Sequence, residues 1–304
     1  MCEVRSLHDN TPVKAEFKLP KQDLPSNARV VIVGGGIAGA SAAYHFAASG
    51  WKDVIVLEQN RLASGTTWHS AGQVGQLRSS SAQTKVNKAS AELYSRLKQE
   101  TGHDPGWLQC GGLQLASCNE RMLQLHRNAS MADVFGVEAD VISPHQCRDY
   151  WPMLRIEDLV GGVYLPGDGR VLPGECTVAL AKSAIQKGVK IVEQVRVVSL
   201  VTKEHRSGIK QICGVETDQG TVAADWVVLT GNMWMRQLAM TANVDVPVYP
   251  CEHHYVITRP IDRVTRNAPC TRDPDAPRFR PKAHFTLTSS RSTQTMTSSS
   301  SMTA

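Results

Sequence analysis

Ala28-Arg-Val-Val-Ile-Val-Gly-Gly-Gly-Ile-Ala-Gly39, followed by a second apolar run that closes on Glu58, decides the fold of this 304-residue chain. Val31, Ile32 and Val33 form a short β-branched run suited to a buried parallel strand. Gly34, Gly36 and Gly39, with Gly35 among them, supply the spacing G-x-G-x-x-G. The first glycine of that pattern permits a tight turn. The second lets backbone approach a pyrophosphate, and the third lets helix pack on strand. The small-residue segment from Ala40 to Ser49 reads as the helix, whose N-terminus offers N–H groups and a positive dipole end to phosphates. Val54–Leu57 is the second strand. Glu58 follows about 20 residues after the glycines, where a carboxylate accepts from ribose hydroxyls. Strand, glycines, helix, strand and acid in this order predict a dinucleotide-binding βαβ unit. The glycines alone do not separate NAD from FAD.

Composition narrows the class. The chain is 41% hydrophobic and 20% charged, as expected of a globular protein with a sizeable core. Its net charge of +5 comes from scattered Lys and Arg, so neither nucleic-acid nor membrane binding is expected. No apolar run approaches the roughly 20 residues that span a bilayer. The eight cysteines are dispersed and form no C-x-x-C, which predicts reduced thiols in an intracellular compartment rather than a disulfide framework. Residues 1–27 mix Lys14, Lys18 and Lys21 with Glu3, Asp9, Glu16 and Asp23. That fits an acid-poor transit peptide badly and reads as a flexible lead.

Further along, helices are expected over about 82–101 and 120–135, and a third from Leu172 to Gly188. Ser143-Pro144 reads as an N-cap and first helical residue. Strands are expected within 106–117, at Gly161–Gly169, Val189–Val192 and Val195–Val201. Ile212–Glu216 and Thr221–Ala223 read as a hairpin around Asp218-Gln-Gly220, with Asp225–Thr230 as a separate buried strand ended by Gly231. A βαβ start, an intervening α+β block and a return to strand–helix–strand imply interleaved domains. The expected division is a nucleotide-binding domain over 28–105 and 165–240, and a second domain over 106–164 and 241–276. The Ser/Thr-rich residues 277–304 cannot bury enough apolar surface to order and are expected to be disordered.

Two stretches carry chemistry. Val228-Leu-Thr-Gly231 with Trp234 reads either as an ordinary strand and turn or as backbone packed under a flavin. Thr66-Thr-Trp-His69 follows the ribose-binding strand closely, so its loop is expected to run along the cofactor. Spacing leaves His69 either as a packed or solvated loop histidine, or as a covalent flavin ligand that would raise the reduction potential and prevent dissociation.

With these residues in view, the chain from about 28 to 275 resembles the FAD-binding half of the sarcosine and dimethylglycine dehydrogenases, D-amino-acid-oxidase-like flavoproteins. The matching stretches are Val31–Gly39, Leu57–Gly72, Glu100-Thr-Gly102, Gly162–Gly169, Gly214–Thr217, Gly231 with Trp234, and His253–Thr258. Ser64-Gly-Thr-Thr-Trp-His-Ser-Ala-Gly72 is the most specific. The resemblance implies an α/β fold in which a Rossmann-like FAD-binding domain is interleaved with an α+β substrate domain. It also implies FAD joined covalently through His69. Further FAD contacts would come from Leu57, Glu58, the loop with Gly65, Thr66, Thr67, Ser70, Ala71 and Gly72, the backbone of Val197, Gly231, and Trp234.

The implied reaction is oxidation of a small N-methyl amine by hydride transfer to flavin, giving an iminium that hydrolyses or is trapped by a folate. Transfer requires the neutral amine, whose lone pair assists hydride departure. Tyr255 and His253 lie two apart on a strand-like run and so share a face; the resemblance puts that face beside the substrate, while His253 also reads as a structural histidine. An electron-transfer flavoprotein as acceptor and a mitochondrial matrix setting follow from the same resemblance. Pyruvate dehydrogenase phosphatase regulatory subunits share the architecture without known oxidation chemistry, and the Trp68-His69 pair favours the dehydrogenases over them. An NAD-dependent enzyme is the weakest reading, since no separate nicotinamide-side signature is present. These dehydrogenases continue well past residue 275, so the substrate domain is expected to be incomplete and activity reduced or lost.

Overall fold

The computed structural model of the chain describes residue 19 and residues 22–204, 210–252 and 264–272. The glycine unit forms as expected: β1 (Asn27–Val33), α1 (Ile37–Ala48) and β2 (Val54–Glu58). The helix begins three residues before its expected start because extended Gly36 takes the N-cap position. There follow β3 (Gln73–Val74), α2 (Ser81–Thr101), β4 (Gly112–Ala116), α3 (Asn119–Phe135), β5 (Asp140–Ile142), α4 (Pro144–Tyr150) and β6 (Gly161–Leu165). The rest comprises β7 (Gly169–Arg170), α5 (Pro173–Gln186), β8 (Lys190–Glu193), β9 (Val197–Glu204), β10 (Lys210–Thr217), β11 (Gly220–Leu229), α6 (Met235–Met240) and β12 (Cys270–Arg272).

A six-stranded sheet runs β8-β2-β1-β11-β10-β9. Its first four strands are mutually parallel, and β9 to β11 form an antiparallel meander at the other end. The period of two along each strand sends alternate side chains to opposite faces. Val30, Ile32, Val54, Val56 and Ile191 meet α1, α2 and α5 through Ala40, Ala43, Leu97, Ala179 and Leu180. Val31, Ile55, Leu57 and Val192 instead pack with Val215 and Val222 of the meander. Both faces of β1 are therefore covered, which is why its sequence reads as an unbroken apolar run rather than an alternating one. Val30, Val31 and Ile32 are completely buried, each worth about 1.5–3 kcal/mol of burial.

The meander corrects one expectation. Thr221–Ala223 and Asp225–Thr230 are not two strands but parts of the single ten-residue β11. Its first half pairs antiparallel with β10, up to Gly214↔Ala223. Its second half pairs parallel with β1, through Val33↔Leu229. The change of partner within one strand changes the burial pattern halfway along, and the sequence reads that change as a break. Nor is this stretch buried throughout, for Trp226 is 60% exposed.

A second sheet has the order β12-β4-β6-β5. Leu113 and Leu115 of β4 face Cys147, Trp151 and Leu154 around α4, while Val163 and Leu165 of β6 face Leu125, Ala129 and Ala132 of α3. α4 begins with the expected cap. The Ser143 hydroxyl accepts from Gln146 N–H, and the Gln146 side chain accepts from Ser143 N–H, a capping box with Pro144 in the first turn. The two-stranded ladder β3–β7 carries the chain between the sheets.

The helix–strand crossing at the glycine turn tolerates no added atom. A Cβ at Gly39 would stand 1.9 Å from the Gly34 carbonyl oxygen and 2.9 Å from Thr230 Oγ1. Gly39→Ala is expected to destabilise the fold by at least about 1–3 kcal/mol, seen as a lowered denaturant midpoint with an unchanged slope.

Candidate functional site

The parallel strands β1, β2 and β11 end together, and a cavity of about 730 Å³ opens beyond Val33, Leu57 and Leu229 at their carboxyl ends. One wall is the glycine turn and the start of α1: Gly34, Gly36, Ile37 and Ala38. The opposite wall is Val195–Val198 at the start of β9. Glu58, Gln59, Asn60 and Ser64–Thr67 flank one side, while Thr230–Asn232, Trp234 and α6 residues flank the other.

Each wall is held by hydrogen bonds from distant parts of the chain. Gly36 has no side chain to cap α1, and the Thr67 hydroxyl supplies that cap from the following loop by accepting from Ile37 N–H at 3.1 Å. A Cβ on Gly36 would come within 2.9 Å of the same oxygen. Glu58 spreads its carboxylate over two backbone donors, Oε2 accepting from Gly35 N–H at 2.6 Å and Oε1 from Asn60 N–H at 2.9 Å. Each oxygen keeps a second lone pair for another donor. Gln194 donates through its backbone and side-chain N–H groups to the Asn60 carbonyl, and Val195 N–H donates to the Glu58 carbonyl, so β9 enters at a fixed height. Across the cleft, Asn232 Nδ2 donates to Thr66 Oγ1 at 2.9 Å and ties the loop to the β11–α6 turn.

Ten of the sequence-predicted residues line this cavity: Gly34, Gly36, Leu57, Glu58, Gly65, Thr66, Thr67, Val197, Gly231 and Trp234. Gly35 and Gly39 stand behind it, one bonded to Glu58 and the other against Gly34. His69, Ser70, Ala71 and Gly72 lie along the loop beyond Thr67, outside the cavity lining. There Ser70 N–H donates to the Thr67 carbonyl, and the exposed His69 ring lies 3.7 Å from the Trp68 ring centroid. Gly72 N–H donates to Ser70 Oγ. His253 and Tyr255 lie outside the described residues.

Sequence reasoning missed Gln59, Asn60, Arg196, Asn232 and Gln237 as lining residues. Only Asn232 carried a signal: it follows the strand-ending glycine and adopts φ 49°, a left-handed conformation that Asn tolerates.

Beyond the loop, a second polar centre forms where the β3–β7 ladder lies beside β4 and β12. The point at which a Cβ would stand on Gly75 is 3.1 Å from Arg272 Nη2, 3.1 Å from Asp168 Oδ2 and 3.4 Å from Arg78 Nη1. Asp168 is 7% exposed, and its Oδ1 accepts from Gln76 N–H at 2.8 Å. Burial pushes this carboxyl above the usual range, against the pull of the Gln76 N–H, Arg272 and Arg78. Burial and the neighbouring Arg272 pull the Arg78 guanidinium below its ordinary value. Two guanidiniums and one carboxylate thus stand around Gly75, leaving one positive charge in excess.

Groups of His, Cys, Asp and Glu that could hold a metal are absent among the described residues. The chemistry of the cavity instead suits a dinucleotide. Backbone N–H groups at a helix N-terminus meet phosphate oxygens, a carboxylate meets ribose hydroxyls, and aliphatic walls meet a base. These residues fit the ADP portion of FAD.

Comparison with known proteins agrees with the geometry. The family model described as FAD dependent oxidoreductase (DAO) matches residues 29–297. The mouse protein named "Pyruvate dehydrogenase phosphatase regulatory subunit, mitochondrial" is 38% identical over 255 residues. Mouse mitochondrial sarcosine dehydrogenase is 36% identical over 259 residues. The 4-methylaminobutanoate oxidase (formaldehyde-forming) of Paenarthrobacter nicotinovorans is 41% identical over 252 residues. These matches cover 83%, 84% and 83% of this chain but only 28%, 28% and 30% of the relatives. The crystal structure of L-proline dehydrogenase from P. horikoshii superposes with a TM-score of 0.74 at 29% identity, covering 82% of this chain and 64% of that one. The fold, the cleft and these relatives together establish that the chain belongs to the DAO family of FAD-dependent oxidoreductases.

Proposed function

We propose that this chain supplies the FAD-binding part of an oxidoreductase acting on an N-methyl amine that also carries a carboxylate, such as sarcosine or dimethylglycine. The observation that supports it most is the cleft itself, whose glycine turn, Glu58 and Thr67-capped helix suit the ADP end of FAD. The cofactor follows from family membership; the amine follows from the relatives' names. Sarcosine and 4-methylaminobutanoate are both N-methylated amino acids, and formaldehyde is the product expected when an N-methyl carbon is oxidised and its iminium hydrolysed.

Gly34, Gly36 and the first turn of α1 hold the pyrophosphate in this reading, Glu58 the ribose, and Val197 with its neighbours the adenine. Bound there, FAD supplies a two-electron acceptor for the hydride leaving the substrate's methyl carbon. Thr67 leads the chain out of the cleft to His69, which we assign as the covalent attachment point. Trp68 holds the imidazole by ring contact, limiting its orientations. Arg78 and Arg272 attract the substrate carboxylate through their excess positive charge, and buried Asp168 keeps the two guanidiniums together. His253 and Tyr255 remain the proposed substrate-side pair. We assign the division of the chain into nucleotide-binding and substrate domains to the six-stranded and four-stranded sheets respectively. An electron-transfer flavoprotein as electron acceptor and a mitochondrial matrix setting belong to the same proposal, the latter supported by the mitochondrial names of the animal relatives.

The 38% identity with the regulatory subunit supports a second reading, a non-catalytic module on the same scaffold. The two readings diverge on substrate. For the enzyme, anaerobic sarcosine or dimethylglycine is expected to bleach the flavin absorbance; an unchanged spectrum from flavin-loaded protein overturns the catalytic reading. Covalent attachment is tested separately. Acid-precipitated protein is expected to stay yellow and His69→Ala to lose that colour, while colourless wild-type precipitate rules the link out. Arg78→Gln is expected to raise KM for sarcosine about 10–100-fold with less effect on kcat, as loss of one charge-assisted contact does. An unchanged KM sinks the carboxylate assignment.

A further inference from the structure

Cys110 ends the loop that enters β4, and Cys270 opens β12, the strand that runs parallel beside it. Cys270 N–H donates to the Gly111 carbonyl at 3.0 Å, and the register places Cys270 opposite Gly112. The two sulfurs lie 4.0 Å apart across 160 residues of sequence. Both residues are buried, at 8% and 5% exposure. A cavity of about 10 Å³, lined by Cys270, Gly112, Asp168 and Arg272, adjoins the pair and is about the size of one water.

Other thiols are differently placed. Cys118 and Cys251 are exposed. Burial pushes Cys147 up to about 11 and Cys176 up to about 12, which leaves both as inert apolar fillers. For Cys110 the balance reverses. The contact with the Cys270 sulfur outweighs burial, and the Arg170 guanidinium adds to the effect, so the Cys110 thiol is held below its ordinary value. Cys270 is correspondingly raised, first by its contact with the Cys110 sulfur and then by burial. The 4.0 Å contact thus joins two sulfurs of unequal acidity, the more acidic suited to attack and the other placed to resolve it.

We propose that Cys110 and Cys270 form a reversible thiol–disulfide site, oxidised by a hydroperoxide small enough to reach a buried pair. The Cys110 thiolate attacks one peroxide oxygen and breaks the O–O bond, giving Cys110 sulfenic acid and, after protonation, water. The Cys270 sulfur then attacks the Cys110 sulfur. The S–O bond breaks, the hydroxyl leaves as a second water with the Cys270 proton, and the S–S bond forms. Two thiols are oxidised by two electrons and one hydrogen peroxide becomes two waters. A reducing dithiol reverses the bridge. The bridge would staple β12 to the entrance of β4. Arg272 lies two residues further along β12, on the same face as Cys270, so the staple fixes the strand that carries it. This inference is independent of the cofactor and substrate readings.

The test uses the full-length chain, fully reduced, freed of reductant and titrated with hydrogen peroxide. The expected product has lost two hydrogens by intact mass, gives a Cys110–Cys270 cross-linked peptide on digestion, and regains two free thiols with dithiothreitol. Its formation rate should rise with pH, following the Cys110 thiolate. The oxidised form should melt at a higher temperature than the reduced form. Cys110→Ser and Cys270→Ser should each abolish the cross-link, and Cys118→Ser should leave it intact. The proposal is overturned if Cys110 passes to sulfinic acid without bridging, if both thiols survive peroxide, or if the cross-link joins other cysteines. The wild-type peptide map decides these outcomes even where a serine variant fails to fold.

Discussion

The approach of α1 to the end of β1 is the contact on which the rest of the site depends. Without a Cβ on Gly39, the helix can settle against the Gly34 carbonyl. Thr230 closes the arrangement from a third strand. Its hydroxyl lies 2.8 Å from the Val33 carbonyl and 3.1 Å from that of Gly34, and its N–H also donates to Val33. Thr230, the residue that follows β11, therefore satisfies the carbonyls that the glycine turn releases from sheet pairing, which would otherwise be costly to bury. Helix start, turn and strand end are fixed relative to one another before any ligand arrives. Pre-organisation of this kind reduces the ordering entropy lost on binding.

The same economy extends outward. Thr67 caps a helix 30 residues earlier in sequence, and Glu58 bonds the glycine turn on one side and its own following loop on the other. Leu62 N–H donates to Glu193 of β8, so the loop is also held from the sheet edge. The segment 59–67 is consequently an anchored connector, although it has no regular secondary structure beyond turns. It then releases Trp68 and His69 to the surface, where one ring lies against the other.

What the sequence made legible was local. The βαβ unit could be read because its strand, glycines, helix and acid occur within about 30 residues and each has its own chemical reason. The Ser143 cap was legible because a capping box spans four residues. Long-range pairing was not. β11 read as two strands because its partner changes from β10 to β1 at Ala223, a fact about other segments rather than its own residues. Arg196 and Asn232 enter the cleft only because the meander returns beside β1. Arg78, Asp168 and Arg272 converge from three separated segments, and Cys110 meets Cys270 across most of the chain. No spacing rule in one sequence contains such meetings.

The two polar centres differ in what they are built from. The cleft at the strand ends is built mainly from backbone: glycine Cα atoms, helix N–H groups and the extended start of β9. Its demands fall on a few small residues and one carboxylate. The centre around Gly75 is built from side-chain charge, two guanidiniums against a carboxylate in a space that any Cβ would fill. Its balance is fragile in a way the cleft's is not. Removing Asp168 would leave two like charges half-buried and close together, while removing either arginine would leave a buried carboxylate with a weakened partner set. On the carboxylate-binding role proposed for the two arginines, a single charge substitution beside Gly75 would weaken substrate binding while leaving the nucleotide cleft intact.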